Sequence, residues 1–135
     1  MTTMREFPCQ SESVTAARHF VREALRGQPK EVAELAELMA SELATNSVRH
    51  ARSEFQISIR LGQDIRIEVR DNGSGAPEVL SPGPRDPSGR GLLIVESMSE
   101  DWGVRRSDAA KTVWFTLPRR QTSGETRASP STLRC

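Results

Sequence analysis

The chain of 135 residues has few cysteines and no long apolar segment, and both deficits exclude whole classes of protein. Its two cysteines, Cys9 and Cys135, lie near opposite ends without metal-ligand spacing, so neither a disulfide framework nor a cysteine metal site is expected. No apolar run is long enough to span a bilayer, and the first residues lack the apolar core of a signal peptide. We therefore expect one domain with free thiols, located in the cytoplasm and without a membrane partner.

A strong charge of one sign is also lacking, because the net charge is only +1. Residues 1–117 carry 15 basic and 17 acidic side chains, whereas residues 118–135 carry four arginines and a single glutamate. A domain so balanced has no basic footprint for nucleic acid, so no direct nucleic-acid partner is expected. The composition predicts a folded domain over residues 1–118 and a disordered basic tail over residues 119–135.

The stretch from Lys30 to Ala51 has the periodicity of one amphipathic helix. Its predicted buried face consists of Val32, Leu35, Leu38, Met39 and Leu43. Glu42 and Asn46 follow at helical spacing and point within roughly 50° of the centre of this face. A carboxylate or an amide turned toward a core needs a partner, and a ligand or metal could supply one. The alternative is the end of a helix that emerges from the core into solvent.

Two segments of alternating polarity, residues 55–61 and 64–70, are joined by a Gly-Gln turn and predict a β-hairpin. The strand period of two places Asp71 on the apolar face of the second segment. A glycine-rich stretch containing Gly73 and Gly75 follows at once. One interpretation is that Asp71 lies at a strand end and accepts local backbone hydrogen bonds. The other is that its carboxylate lies at the floor of a pocket, where the following glycines let a flat ligand approach the backbone.

A third element begins where Gly89 and Gly91 precede an apolar helix that opens at Leu92. A glycine-rich loop at the start of a helix favours phosphate, because free backbone N–H groups and the helix dipole both attract an anion. Arg90 adds a cation between the two glycines. Taken alone this pattern is weak, since flexible helix entries also use it.

Taken together and in this order, the three motifs resemble the GHKL ATPase superfamily. This superfamily includes gyrase, mismatch-repair ATPases, the ninety-kilodalton heat-shock chaperones, histidine kinases and the bacterial anti-sigma-factor serine kinases. The likeness runs from about residue 10 to Leu117 and is nearest to the small, single-domain anti-sigma serine kinases. It implies an α+β fold: a two-layer sandwich with three helices on one face of a mixed, mostly antiparallel sheet of four or five strands.

The resemblance also implies ligands and residue roles. ATP and Mg²⁺ would be the cofactors, with Asp71 accepting a hydrogen bond from the adenine amino group and Gly73 and Gly75 admitting the base and ribose. Asn46 would coordinate Mg²⁺ through its amide oxygen. Glu42, one turn earlier, would deprotonate the attacking hydroxyl.

Other residues complete the site that the resemblance implies. The phosphates would be enclosed by Gly89, Arg90, Gly91 and Leu92. A threonine at the start of the last strand usually touches the adenine-binding carboxylate, and in this chain either Lys111 or Thr112 stands in its place. Thr112 is taken as a further site residue. Arg49 and His50 either line the site or lie on the surface at the end of the helix.

The function implied is that of a protein serine kinase acting as a partner-switching regulator. Its partners would be a sigma factor or similar client and an antagonist protein that it phosphorylates, with a homodimer possible. One alternative is a nucleotide-dependent binding module with little catalysis. Another is a detached catalytic subunit that phosphorylates histidine on a separate protein. A structural domain that has lost its nucleotide is a fourth reading.

Overall fold

The computed structural model of the chain describes residues 1–73, 95–107 and 109–119. Residues 95–98 are helical. The other elements, in chain order, are strand β1 (Thr2–Phe7), helices α1 (Glu12–Ala24) and α2 (Lys30–Asn46), a π-helical turn (Ser47–Ala51), and strands β2 (Phe55–Leu61), β3 (Asp64–Asp71), β4 (Asp101–Ser107) and β5 (Ala110–Pro118).

The five strands form one sheet in the order β1-β2-β3-β5-β4, and each of these pairings is antiparallel. Helix α1 packs against β1 and β2, and helix α2 packs against β3 and β5. The predicted α+β sandwich, with helices on one face of a mostly antiparallel sheet, is confirmed. None of the helices in the described ranges is long and apolar enough to cross a membrane.

The core lies between the helices and the inner face of the sheet. Strand β3 contributes Ile65, Ile67 and Val69 to this face, all of them buried. Their neighbours on β5 are Leu117, Phe115 and Val113. Burying each such side chain stabilises the fold by about 1.5–3 kcal/mol, so this register is strongly favoured over a slip by one residue.

The buried face of α2 differs from the predicted one at Leu38, which is 42% exposed. The residues that pack inward include Ala36, Met39, Ala40 and Leu43. Leu38 lies two residues beyond Ala36, about 200° around the helix, and therefore points away from the sheet. The prediction that Leu38 is buried was wrong because it gave weight to large apolar side chains and overlooked the alanines.

The helical path does not stop at the last residue of α2, Asn46, but continues directly into the π-helical turn Ser47–Ala51. Arg52 then adopts a left-handed conformation with φ 55° and ψ 44°, which stops the helical path. The helix predicted over residues 30–51 is confirmed in extent, although its last turn is wider than an α-turn. Single π-turns of this kind are rare and often occur at functional sites.

Candidate functional site

Asp71 ends β3 on the inner face of the sheet and is only 3% exposed. It follows Ile65, Ile67 and Val69 at the strand period of two, as the sequence predicted. A buried carboxylate is very unfavourable unless charges or hydrogen bonds compensate it. The surroundings of Asp71 must therefore supply such partners.

Among the described residues, three groups surround the Asp71 carboxylate. The Ser47 hydroxyl donates to Oδ2 at 2.7 Å, and the Gly73 backbone N–H donates to Oδ1 at 3.0 Å. The Lys111 ammonium lies 3.7 Å from Oδ2, with its side chain only 13% exposed. Both oxygens are thus engaged, and a nearby cation balances the charge. A carboxylate has about four acceptor positions, so acceptor capacity remains for a ligand.

The end of α2 is tied to the end of β3 at more than one point. Besides the bond from Ser47 to Asp71, the backbone N–H of Asn72 donates to the Ser53 hydroxyl oxygen at 3.0 Å. These bonds join segments 24 and 19 residues apart in the chain. The π-helical turn is consequently held against the strand end, which fixes the position of the residues just before it.

Gly73 lies where these two segments come closest. A Cβ atom at this position would lie 2.6 Å from Ala51 Cβ and 3.1 Å from Asp71 Oδ1. Real Cβ contacts are essentially never shorter than 3.0 Å, so no side chain fits without movement of the backbone. Glycine is therefore required here by the packing of the chain on itself. Its predicted role in admitting the base and ribose stays a prediction.

Glu42 and Asn46 lie on α2 directly before the turn that contacts Asp71. Both are partly buried, and the amide oxygen Oδ1 of Asn46 is buried. Four residues of α-helix rise by about 6 Å, so the two side chains stand one turn apart on the same side of the helix. Because Ser47 contacts Asp71 and Asn46 precedes it, the fold brings the first two predicted motifs together.

The chemistry of these residues suits a hard divalent cation. An amide oxygen is a ligand of the type that Mg²⁺ accepts, and Mg²⁺ is commonly held by one or two protein groups plus substrate phosphates and water. Within residues 1–73, 95–107 and 109–119, no group of three or more His, Cys, Asp and Glu side chains could hold a metal ion.

The structure separates the two candidates for the threonine position. Lys111 is the cross-strand neighbour of Asp71, whereas Thr112 is the neighbour of Arg70. Successive residues of a strand point to opposite faces, so Thr112 lies on the face away from the helices. The fold brings Lys111 to the carboxylate and does not bring Thr112 there.

The remaining predicted residues fall into two groups. Arg49 and His50 belong to the π-helical turn and are exposed. The predicted phosphate-binding and glycine-rich residues outside the described ranges are Gly75, Gly89, Arg90, Gly91 and Leu92. Most of the predicted basic tail also lies outside them, so the roles of all these residues stay predictions.

Sequence reasoning missed Ser47, which holds the Asp71 carboxylate. Ser47 is 1% exposed although it carries a hydroxyl. A signal for it was present, because Ser47 follows Met39 and Leu43 at intervals of four and so extends the buried face of the helix. A small hydroxyl residue on that face indicates a buried acceptor nearby.

An antiparallel sheet with helices on one face, and a buried aspartate where a strand meets the end of a helix, are consistent with the class of GHKL-type ATP-binding sandwiches. The sequence model of the family described as the histidine kinase-like ATPase domain matches residues 7–117. This chain therefore belongs to the histidine kinase-like ATPase family, and the predicted resemblance is confirmed. The family implies ATP as the bound nucleotide.

Solved structures share this fold at low sequence identity. The RsbU and RsbW domains of Rv1364c from Mycobacterium tuberculosis match with a TM-score of 0.69 and 16% identity, over 91% of this chain and 35% of that one. The histidine kinase domain of the blue-light activated histidine kinase from Erythrobacter litoralis EL346 matches with a TM-score of 0.52 and 22% identity. The match covers 83% of this chain and 61% of that one. The Acinetobacter baumannii histidine kinase AdeS matches with a TM-score of 0.54 and 11% identity, over 88% of this chain and 68% of that one.

At these identities the likeness shows the fold alone. The chain spans about a third of the Mycobacterium tuberculosis chain and about three fifths of the Erythrobacter litoralis chain. The match therefore does not assign to this chain the activities, substrates or partners of those longer proteins.

Proposed function

We propose that this chain is an ATP-dependent protein serine kinase of the anti-sigma-factor type, acting in a partner switch. It would bind a sigma factor or similar client and phosphorylate a serine of a small antagonist protein. The observation that carries this proposal is the buried Asp71 carboxylate, held against the end of the helix that bears Glu42 and Asn46.

Asp71 would select the base. A carboxylate only accepts hydrogen bonds, so it complements the amino group of adenine and repels the carbonyl that guanine presents at the same place. Ser47 and Gly73 fix the carboxylate from two sides, so it does not have to reorganise when the nucleotide arrives.

Glu42 and Asn46 would serve the phosphoryl transfer. Mg²⁺, when bound, neutralises charge on the phosphates, and the Asn46 amide oxygen would be its protein ligand. The Glu42 carboxylate is partly exposed and so accessible to a substrate hydroxyl. It would take the proton from the attacking serine as that oxygen bonds to the terminal phosphorus and ADP leaves.

Two other functions use the same site. A nucleotide-dependent binding module would hold ATP through Asp71 and transfer nothing. A detached catalytic subunit would instead phosphorylate a histidine on a separate protein. Homodimer formation stays a prediction in each case.

The nucleotide assignment is tested by calorimetry with ATP and Mg²⁺ on Asp71→Asn. We expect affinity to fall at least about tenfold, because the amide loses the charge and one acceptor. Asp64→Asn is the matched control, since it makes the same change about seven residues, roughly 23 Å, away along the strand. Equal ATP affinity of Asp71→Asn and the wild-type chain would remove the adenine assignment.

The catalytic assignment is tested by incubating the chain with radiolabelled ATP and a small antagonist-like protein. Acid-stable serine label is expected with the wild type and a loss of at least about a hundredfold with Glu42→Gln, which keeps ATP binding. Glu34→Gln, on the exposed face of α2, is the control. Acid-labile label would identify the histidine-directed alternative, and bound but untransferred ATP would identify the binding module.

A further inference from the structure

A lysine lies beside the carboxylate assigned to the base. The Lys111 ammonium is 3.7 Å from Asp71 Oδ2, and the two side chains are 13% and 3% exposed. The two residues are cross-strand neighbours on β5 and β3, so the strand register fixes their proximity. The Oδ2 atom already accepts from Ser47 at 2.7 Å, and a separation of 3.7 Å is too long for a second direct hydrogen bond.

An ammonium without a close hydrogen bond to its carboxylate neighbour retains donors for a ligand. Lysine carries three N–H donors and no acceptor, and carboxylate carries acceptors only. An acceptor beside a donor can form two hydrogen bonds with the edge of a base that presents a donor opposite the first group and an acceptor opposite the second. Adenine has this order, because its amino group is next to the unprotonated ring nitrogen N1.

We propose that Lys111 donates a hydrogen bond to adenine N1 while Asp71 accepts one from the adjacent amino group. This inference rests on the proposed function, since it needs ATP as the ligand of Asp71. It makes Lys111 a specificity-determining residue. The base would then be recognised through two neighbouring nitrogen atoms: Lys111 contacts N1, and Asp71 contacts the amino group.

The proposal sharpens the discrimination against guanine. In the same orientation guanine places a carbonyl against the Asp71 carboxylate and a ring N–H against the Lys111 ammonium. Both contacts are then mismatched, whereas a site with the carboxylate alone mismatches one. Sites built on hydrogen bonds reject mismatched groups strongly because their buried polar atoms are left without partners.

The competing explanation gives Lys111 no role beyond balancing the buried charge of Asp71. Removal of one partner from a buried ion pair is then harmful to folding and to every nucleotide alike. The two explanations differ in one measurable quantity, the dependence of affinity on the nitrogen at position N1 of the base.

The experiment is calorimetry with ATP, GTP and 1-deaza-ATP, in which N1 is replaced by C–H. On the wild-type chain we expect 1-deaza-ATP to bind about tenfold more weakly than ATP. Lys111→Met removes the ammonium but keeps an unbranched side chain. This variant should bind ATP and 1-deaza-ATP equally, and its preference for ATP over GTP should be smaller than that of the wild type. Arg70→Met is the control: this exposed cation lies next to Asp71 in the chain but on the opposite face of the sheet.

Two results overturn the proposal. One is an equal affinity of the wild-type chain for ATP and 1-deaza-ATP. This measurement needs no variant, so it tests the proposal even if Lys111→Met does not fold. The other is a penalty for 1-deaza-ATP that is as large in Lys111→Met as in the wild type. Failure of the wild-type chain to bind any of the three nucleotides overturns the proposed function itself, and with it this inference.

Discussion

Replacement of Ser47 by alanine would remove the hydrogen bond that joins α2 to the buried carboxylate. The bond is 2.7 Å long and lies between two side chains that are 1% and 3% exposed. A hydrogen bond to a charged group contributes about 1.5–3 kcal/mol. Asp71 keeps the Gly73 N–H and the nearby Lys111 ammonium, so we expect a loss near the middle of this range, about 2 kcal/mol.

The assay is thermal and urea unfolding of the wild-type chain and Ser47→Ala without nucleotide. For a domain of this size about 2 kcal/mol corresponds to a fall of roughly 6–10 °C in the melting temperature. The urea midpoint should fall with an unchanged slope, because the surface exposed on unfolding stays the same.

Ser41→Ala is the matched control on the same helix. Ser41 is also buried, at 8% exposed, but its hydroxyl donates to the Leu38 carbonyl of its own helix at 3.3 Å. Alanine is the better helix former, so this change should stay within about 0.5 kcal/mol of the wild type. Equal losses in Ser47→Ala and Ser41→Ala would refute the claim that the Ser47–Asp71 bond stabilises the junction.

Further predictions concern the packing and charge of the sheet. Gly73→Ala should lower the free energy of unfolding by about 1–3 kcal/mol through the clash with Ala51, whereas Gly62→Ala, with nothing within 4 Å of its Cβ, should be nearly neutral in the same urea assay. Burial by itself raises the pKa of Glu68, but hydrogen bonds and charges from Arg66 and Arg105 outweigh it and hold the pKa below its ordinary 4.5. Ionised Glu68 therefore stabilises the fold above pH 4.5, and this stabilisation is lost as the pH falls through the folded-state pKa. The difference in melting temperature between wild type and Glu68→Gln should be largest near neutral pH and shrink in acid; a constant difference would contradict the assignment.

Local periodicity determined most of the secondary structure. Alternation over residues 55–61 and 64–70 predicted the hairpin, and the same period placed Asp71 on the inner face, where it is buried. A strand has only two faces, so sequence position alone decides which face a residue occupies. The family resemblance followed from motif order, and the match over residues 7–117 confirms it.

Helical faces were less well determined. A helix presents its residues at about 100° intervals, and the side that becomes buried depends on the surface it meets. Leu38 was predicted inside and is exposed, whereas Ala36 and Ala40 pack against the sheet. Small residues allow close approach of helix and sheet, which a scale based on hydrophobicity does not register.

What the tertiary structure alone decided is which distant residues meet Asp71. Ser47 and Lys111 reach its carboxylate from a helix end and from a neighbouring strand. The choice between Lys111 and Thr112 depended on the register of β5 against β3, which a shift of one residue would have reversed. Pairing register is set by long-range packing of whole strands, so it is not encoded in any short stretch of the sequence.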